Sequence, residues 1–387
     1  MNRRAFAHAL TGRIRSASLR TLDPSGGTGP VRLDHNENPY GPGPAALSAM
    51  LRHATQVNRR NEFIGELVST INRIHDVPPD HVLVSGGSGD LMRACVYAFA
   101  GPTRPFVTPR PTYEAPMRSA QHVGAPVWRV PLTSTLGIDT VAVARRAAGA
   151  GLVYICNPNN PTGTLASRAS LGDLVDRIAH TSPATAILID EAYFDYADVP
   201  GPDSMMHVAL RHPSVVVTRT FSKIHGMAGM RIGYAIAQPS TLAMLRPLHS
   251  ASSVSALSAA AATASLGDFD HRARMSALNR QARMAMVSAF ERAGYRTAHS
   301  DANFVFVDVR RDARVFERAS REAGVLVGRA FPPLTTWARV SVGTTDEMRV
   351  AMPVLLDVLR TRDGTSRRTA GVHGPAEEAQ LPHDRIV

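Results

Sequence analysis

Short apolar runs alternate with segments long enough for helices through the middle of the chain, and this alternation constrains the fold most strongly. Helix-length segments such as Ser88–Ala100 and Arg168–His180 separate the apolar runs. Strands separated by helices form βαβ units, so the pattern predicts an α/β fold with a mainly parallel sheet flanked by helices on both faces. The predicted strands are His81–Val84, Pro105–Thr108, Leu152–Cys156, Ala186–Asp190 and Val215–Arg219.

The pattern changes after Ser250, where long helical stretches rich in Ala, Arg and Met replace the alternation. Asn303–Val309 and Arg339–Val342 are strand candidates in this second region. A chain of 387 residues is long enough for two domains, and the second region predicts a smaller α+β domain. The expected division is a disordered basic leader (1–30), an arm joining the small domain (31–55), a large domain (56–265), a small C-terminal domain (266–360) and a disordered tail (361–387).

The net charge of +11 is spread without a pattern that favours nucleic acid. Residues 1–32 hold six arginines and one acidic residue, which accounts for +5 of the total. The remaining basic residues are scattered and form no stripe interleaved with aromatic side chains, whereas an electrostatic footprint for nucleic acid clusters. We therefore expect no nucleic-acid partner.

Cysteine usage and hydropathy bear on location. Cys95 and Cys156 cannot form a disulfide framework and lack metal-ligand spacing, so we expect a reducing, cytoplasmic compartment and no bound metal. No apolar run approaches the roughly 18 residues needed to span a bilayer. Arg3 and Arg4 resemble a twin-arginine export signal, but Arg13 interrupts the apolar stretch that such a signal needs. A basic leader is favoured, and export stays open.

The chain contains a single lysine, Lys223, so the other 42 of its 43 basic Lys and Arg residues are arginines. A lysine of ordinary pKa, about 10.4, is a poor nucleophile at neutral pH, but desolvation and neighbouring cations lower that value. Arginine cannot replace it in covalent carbonyl chemistry, because the guanidinium does not lose its proton in proteins. The alternative is that Lys223 was retained by chance, and its position directly after a predicted strand argues against this.

Polar clusters follow several of the predicted strands, where parallel sheets bind ligands. Gly87, Ser88 and Gly89 lie between a strand and a helix; they form either an ordinary tight turn or a phosphate site built from backbone N–H groups. Asp190 ends a strand, where a carboxylate often only caps a helix. A buried carboxylate nevertheless needs a cationic or proton-donating partner, and a ligand's ring nitrogen would serve.

Seven stretches together resemble the fold-type I pyridoxal-phosphate aminotransferases, in the branch similar to histidinol-phosphate aminotransferases. They occur in family order and cover about residues 31–360, which is far more specific than one motif. The stretches are LDHNENPYGPGP, SGGSGD, PTYEAP, NPNNPTG, DEAYFDY, RTFSKIHGMAGMRIGY and ANFVFVDV with ARVSVGT. The resemblance implies a seven-stranded sheet in a large pyridoxal-phosphate-binding domain. It also implies a homodimer with shared active sites.

The resemblance assigns a role to each matching residue. Lys223 would form a Schiff base with pyridoxal phosphate and then carry a proton, while Asp190 would pair with the ring nitrogen. Asn160 and Tyr193 would bind the ring's phenolate oxygen, and Tyr113 would stack on the ring. The phosphate would be held by Gly87, Ser88, Gly89, Thr220, Ser222 and Arg231. The substrate would contact Tyr40, Arg60, His225 and Arg339, and Arg339 would bind its carboxylate.

Three departures from the family pattern bear on the substrate. Arg60, in NRRNEF, stands where the family has a tyrosine that reaches the neighbouring subunit's cofactor. Gly328 stands where histidinol-phosphate enzymes carry arginine, and Arg329 follows one position later, which weakens the case for a phosphorylated substrate. His225 replaces an aromatic or small residue, either as a packing substitution or as a substrate contact.

The resemblance implies an aminotransferase that moves an amino group between an amino acid, or a histidinol-phosphate-like amine, and a 2-oxo acid. A same-fold enzyme that cyclises, eliminates, decarboxylates or oxidises an amino acid is the alternative. A ligand-sensing regulator is a third hypothesis, but the thirty residues before Val31 are too few for a fused DNA-binding module.

Overall fold

A computed structural model describes residues 29–58, 63–197, 204–250 and 253–361. The predicted leader and tail therefore lie almost entirely outside the described residues, and so does Arg60. The strands are β1 (Val31–Leu33), β2 (Val82–Ser85), β3 (Phe106–Arg110), β4 (Val127–Pro131), β5 (Leu152–Cys156), β6 (Ala186–Asp190), β7 (Val215–Thr220), β8 (Gly233–Ile236), β9 (Phe304–Asp308), β10 (Val325–Val327) and β11 (Trp337–Ser341).

Twelve α-helices lie within these described ranges. They are α1 (Pro44–His53), α2 (Ile64–His75), α3 (Ser88–Phe99), α4 (Ala115–His122), α5 (Thr140–Arg146), α6 (Arg168–Thr181), α7 (Met206–Ala209), α8 (Pro239–Leu245), α9 (Ala256–Gly267), α10 (Phe269–Arg292), α11 (Ala313–Glu322) and α12 (Thr345–Arg360). None of these helices combines the length and the apolar character that crossing a bilayer requires.

The central sheet has seven strands in the order β2-β8-β7-β6-β5-β3-β4. Strand β8 runs antiparallel to both β2 and β7, and the other neighbouring pairs are parallel. The predicted α/β fold with a mainly parallel, seven-stranded sheet is confirmed. Because parallel strands need crossover helices, this topology buries the sheet on both faces.

Strands β5 and β6 show how the sequence produces a core on each side of the sheet. Val153 and Ile187 point into one hydrophobic cluster, whereas Tyr154 and Leu188 point into the other. Successive side chains of a strand alternate between faces, so a continuous apolar run is the expected sequence for a strand covered twice. The run ends at Asp190, where the polar residues begin.

A smaller assembly follows α9 and has its own hydrophobic core. Strands β9 and β11 pair antiparallel, and α10, α11 and α12 contribute apolar side chains to the core around them. Strand β1 pairs in parallel with β10, which attaches the N-terminal arm to this assembly. Helix α12 begins with a reciprocal capping box between Thr344 and Glu347, which satisfies donors that the first helical turn otherwise leaves unpaired.

Candidate active site

Polar side chains converge at the carboxyl ends of β5, β6 and β7, which are adjacent parallel strands. Asp190 is the last residue of β6, and Cys156 beside it is the last residue of β5. The stretch Asn157–Gly163 follows β5, and Lys223 follows β7 after two residues. Ligands of open α/β sheets bind at this edge, so the topology places these groups at a binding crevice.

The amine of Lys223 is half-buried and held by main-chain oxygens of the N-terminal arm. Its Nζ donates to the carbonyl of Asn36 at 2.8 Å and to that of His35 at 3.2 Å. Burial, followed by the charge of Arg339, lowers the pKa of Lys223 to about 8. A substantial fraction of neutral, nucleophilic amine therefore exists near physiological pH.

A chain of hydrogen bonds joins Tyr193 to Arg339. Nδ2 of Asn160 donates to the Tyr193 hydroxyl at 3.2 Å, and Nδ2 of Asn36 donates to the same oxygen at 3.1 Å. Arg339 then donates from Nη1 to Oδ1 of Asn160 at 2.7 Å. The ammonium of Lys223 lies 5.5 Å from the centre of the Tyr193 ring. The four predicted site residues in this group are thus brought together.

Arg339 is a buried guanidinium with unused hydrogen-bonding capacity. Its Nη2 donates to the carbonyl of Asp34 at 2.6 Å, and its guanidinium carbon lies 5.7 Å and 5.1 Å from the ring centres of Phe304 and Phe331. The Nε atom is buried and has no hydrogen-bond partner among the described residues. A buried cationic donor without a partner is costly, and an incoming carboxylate would satisfy it.

A glycine-rich turn opens α3 and forms a cradle for an anion. Gly87 adopts φ +102°, and a Cβ on it would lie 2.4 Å from Nη2 of Arg231. A Cβ on Gly233 would lie 2.4 Å from the backbone nitrogen of Ser88, so β8 passes directly against the start of the helix. Gly89 and Arg231 also line a cavity of about 470 Å³.

This cradle fits the phosphate of a cofactor. Backbone N–H groups at a helix N-terminus and an adjacent guanidinium both favour a bound anion. Arg231 donates to Oγ of Ser222 at 3.4 Å, and Oγ1 of Thr220 accepts from the Ser222 backbone at 3.1 Å. Thr220 and Ser222 therefore lie with Arg231 at the same edge, as the resemblance implies.

Asp190 is buried and surrounded by neutral donors. Its Oδ2 accepts from the Tyr154 hydroxyl at 3.3 Å, and its Oδ1 accepts from Oγ1 of Thr218 at 3.3 Å. Burial raises the pKa of Asp190 to about 6, and these two hydrogen bonds oppose that rise. Within the described ranges, no ion pair includes Asp190. The carboxylate thus fits a protonated ring nitrogen, which would supply the missing cationic partner.

Tyr113 lies at the mouth of the crevice after β3, with 37% of its surface exposed. Burial and then the nearby charge of Asp190 raise the pKa of Tyr113. Beside it, Glu114 accepts from Arg329 at 2.7 Å. Arg329 therefore reaches the rim of the site. It follows Gly328, the position at which histidinol-phosphate enzymes carry arginine.

His225 and Tyr40, two residues predicted to contact the substrate, lie in different surroundings. His225 is buried, its Nδ1 shares a hydrogen bond of 2.8 Å with Oγ of Ser265, and its ring centre lies 4.6 Å from that of Phe221. Burial lowers the pKa of His225 to about 3, so the ring is neutral at working pH and supports the packing alternative. Tyr40 is 38% exposed and borders a small cavity that also touches Asn303.

Three residues that were not predicted from the sequence also hold the site in place. Asn36 contacts both Lys223 and Tyr193, and it lies within the quoted stretch LDHNENPYGPGP, which was a usable signal. No sequence pattern indicated a role for Tyr154, because it lies within an apolar strand. Ser253 accepts from the backbone of Gly86 at 3.1 Å and therefore braces the phosphate cradle.

A buried ion pair lies immediately behind the site. Oε2 of Glu191 accepts from Nε of Arg219 at 2.8 Å, and Asp195 accepts from Nη1 of the same arginine at 3.2 Å. Glu191 directly follows Asp190 in the chain, and Arg219 directly precedes Thr220. The pair therefore fixes the ends of β6 and β7 relative to each other.

Known proteins share both sequence and fold with this chain. The family model for aminotransferase class I and II matches residues 29–355. A histidinol-phosphate aminotransferase of Symbiobacterium thermophilum is 37% identical over 322 residues, covering 82% of this chain and 88% of the relative. An aromatic amino acid aminotransferase of Mycobacteroides abscessus is 34% identical over 317 residues, covering 81% and 89%.

A solved structure agrees with these relatives. The histidinol-phosphate aminotransferase of Sinorhizobium meliloti, in complex with pyridoxal-5'-phosphate, superposes with a TM-score of 0.79 at 25% identity, covering 85% of this chain and 90% of that chain. The predicted fold, the enzyme class and pyridoxal phosphate as cofactor are confirmed. The alternative reactions on the same fold are not favoured. The chain belongs to the class I and II aminotransferases.

Proposed function

We propose that Lys223 is the central amine of an aminotransferase that exchanges an amino group between an amino acid, or a histidinol-phosphate-like amine, and a 2-oxo acid. The observation that carries this proposal is the Lys223 amine itself. It is the only lysine, its pKa is lowered to about 8, and it lies beside a buried arginine with a free donor. An amine with this pKa suits both nucleophilic attack and proton transfer near neutral pH.

Bound pyridoxal phosphate supplies an aldehyde that condenses with amines and a ring that accepts an electron pair. The chain's own residues prepare the surroundings for that chemistry. Neutral Lys223 accepts the proton from the substrate's α-carbon, and Asp190 holds a proton on the ring nitrogen. Tyr193 and Asn160 donate toward the ring oxygen, which fixes the orientation of the ring. Arg231 and the start of α3 hold the phosphate.

Arg339 is the proposed anchor for the substrate carboxylate. Its Nη1 and Nη2 are already bound to Asn160 and to the carbonyl of Asp34, which orients the guanidinium. Its buried Nε has no hydrogen-bond partner among the described residues, so a ligand oxygen brought next to it would satisfy it. Because planar guanidinium groups bind carboxylates through parallel hydrogen bonds, Arg339 can position the α-carbon near Lys223.

The substrate class is tested with the purified protein loaded with pyridoxal phosphate. Histidinol phosphate, glutamate, phenylalanine and tyrosine are added one at a time, and visible absorbance and 2-oxo product are followed. The proposal expects at least one donor to bleach the visible band and to yield an oxo product in equal amount. Failure of every donor to do so contradicts it, as does release of ammonia or CO₂ in place of amino transfer.

Assembly and location complete the proposal. We propose a homodimer with shared active sites, as in the family that the motifs resemble, and a cytoplasmic location. The separate core around β9 and β11 supports a division into a large domain over 56–265 and a small domain over 266–360, with the arm 31–55 joining the small domain. Light scattering of the purified protein measures the oligomeric state.

A further inference from the structure

The phenol of Tyr154 lies on one face of the central sheet, directly against the carboxylate of Asp190 at the end of β6. It lies in β5 and is fully buried, and its ring stacks on that of Phe106 with centres 6.3 Å apart. In the strand register Tyr154 lies opposite Leu188, and Cys156 lies opposite Asp190. Its side chain therefore projects from the same face of the sheet as that of Asp190. It lies two residues nearer the N-terminal ends of the strands.

The hydroxyl of Tyr154 has a specific partner there. It donates to Oδ2 of Asp190 at 3.3 Å, while Thr218 on β7 donates to Oδ1. The Sγ atom of Cys156 lies 4.0 Å from Oδ2. A phenol buried in an apolar strand core is costly unless its hydroxyl is bonded, so the Asp190 contact also explains why a tyrosine is tolerated here.

We propose that Tyr154 is a positioning residue whose hydroxyl keeps Asp190 ionised and aimed at the cofactor's ring nitrogen. This inference rests on the proposed role of Asp190 and adds a residue that acts through it. A neutral donor stabilises the ionised carboxylate more than it stabilises the protonated acid, so it favours the ionised form. Since burial pushes Asp190 toward the protonated state, the donors on both of its oxygens oppose that push.

The other titratable groups around Asp190 give weaker support or none, since the thiol of Cys156, a weaker donor than a phenol, donates to Oδ2 only at 4.0 Å. They are Cys156 on β5, Glu191 next to it, Tyr193 in the following turn, Tyr113 after β3 and Lys223 after β7. Burial raises the pKa of Cys156 and of Tyr193, and both side chains are therefore neutral at working pH. Glu191 carries a negative charge that disfavours a second one on Asp190. Lys223 favours the ionised carboxylate but has its own hydrogen bonds to the arm.

Tyr154→Phe is the discriminating variant, because it keeps the ring and removes only the hydroxyl. The cofactor's dissociation constant and the pH at which the loaded protein loses its cofactor are measured together with kcat and KM. We expect the dissociation constant to rise about tenfold, equivalent to about 1.4 kcal/mol. The pH of cofactor loss is expected to rise by about one unit, and kcat to fall more than KM changes.

Tyr295→Phe is the matched control, since that hydroxyl donates to the carbonyl of Leu359 at 2.9 Å in the smaller assembly. A merely structural role predicts that both variants lower the melting temperature alike and that neither moves the cofactor's pH profile. That result overturns the inference. If Tyr154→Phe does not fold, Thr218→Val removes the donor on the other oxygen, and an unchanged pH profile in that variant overturns the inference equally.

Asp190→Asn separates this inference from the proposed function. If Asp190→Asn abolishes amino transfer while Tyr154→Phe and Thr218→Val keep the wild-type cofactor affinity and pH profile, only the role of Tyr154 fails. If Asp190→Asn itself retains full activity and affinity, the proposed role of Asp190 fails, and the inference falls with it.

Discussion

Nζ of Lys223 donates a hydrogen bond of 2.8 Å to the carbonyl of Asn36, although 187 residues separate the two along the chain. The same asparagine donates from its side chain to the Tyr193 hydroxyl, and its carbonyl also accepts from Nδ2 of Asn303 at 3.0 Å. The N-terminal arm therefore closes the site over the amine and links it to the strand β9 region. The arm thus contacts the candidate site as well as pairing with the smaller assembly through β1.

Replacement of Lys223 by arginine tests the central role directly. The charge is retained, but a guanidinium does not lose its proton, so we expect amino transfer to fall by at least about 10³-fold. Initial rates with the best donor measure this loss. Borohydride reduction of the loaded wild-type protein followed by peptide mapping is expected to label Lys223. A fully active Lys223→Arg protein, or a label at another site, contradicts the prediction.

The lowered pKa of Lys223 predicts how the protein without cofactor reacts with pyridoxal phosphate as pH changes. The folded pKa is about 8, compared with 10.5 for an unperturbed lysine. The amine is protonated below that value and becomes neutral as pH rises through it. The rate of condensation, followed by visible absorbance, is therefore expected to increase with pH around a midpoint near 8. A midpoint above 10 contradicts the burial effect.

Arg339→Lys is expected to raise KM for amino-acid donors with a smaller change in kcat. Lysine keeps a positive charge but loses the planar fork that contacts Asn160 and the carbonyl of Asp34. The loss of a charged hydrogen bond of about 1.5–3 kcal/mol corresponds to an increase in KM of about 10- to 150-fold. Steady-state kinetics with glutamate measure it. Arg349→Ala, at an exposed position on α12, is the control and is expected to keep the wild-type KM.

Gly87→Ala is expected to weaken cofactor binding by at least about tenfold. The residue has φ +102°, and its new Cβ would lie 2.4 Å from Nη2 of Arg231. Backbone strain of this kind costs about 1–3 kcal/mol, and Arg231 must also move away from the phosphate. Titration of the protein without cofactor measures the affinity. Gly172→Ala, in helix α6 with open space around it, is the matched control and is expected to leave affinity unchanged.

Glu191→Gln is expected to lower the free energy of unfolding by about 3–5 kcal/mol, because it breaks a buried ion pair from one side. Glu191 accepts from Arg219, from Oγ of Ser204 at 2.7 Å and from the backbone of Met205 at 2.7 Å. Urea unfolding followed by circular dichroism measures the change. Glu317→Gln breaks the exposed pair with Arg321 and is expected to cost less than about 1 kcal/mol. Equal losses in the two variants contradict the argument.

Much of the central sheet was predictable because its signal is local. The predicted strands Leu152–Cys156 and Ala186–Asp190 coincide with β5 and β6, and Val215–Arg219 is one residue shorter than β7. Strand β8 was missed: it is only four residues long and begins with Gly233, and glycine is depleted in strands. Its glycine is required by the close approach to Ser88, which no local pattern reveals.

The sequence by itself determined the alternation of strands and helices, the single amine among arginines, and the ordered motifs that indicate the family. These features depend on local periodicity and residue type, and both can be read from short stretches of the chain. The tertiary structure alone decided that Asn36 covers Lys223, that Tyr154 bonds Asp190, and that His225 packs against Ser265. These contacts join residues far apart in the chain, and only the packing of the folded chain brings such residues within hydrogen-bonding distance.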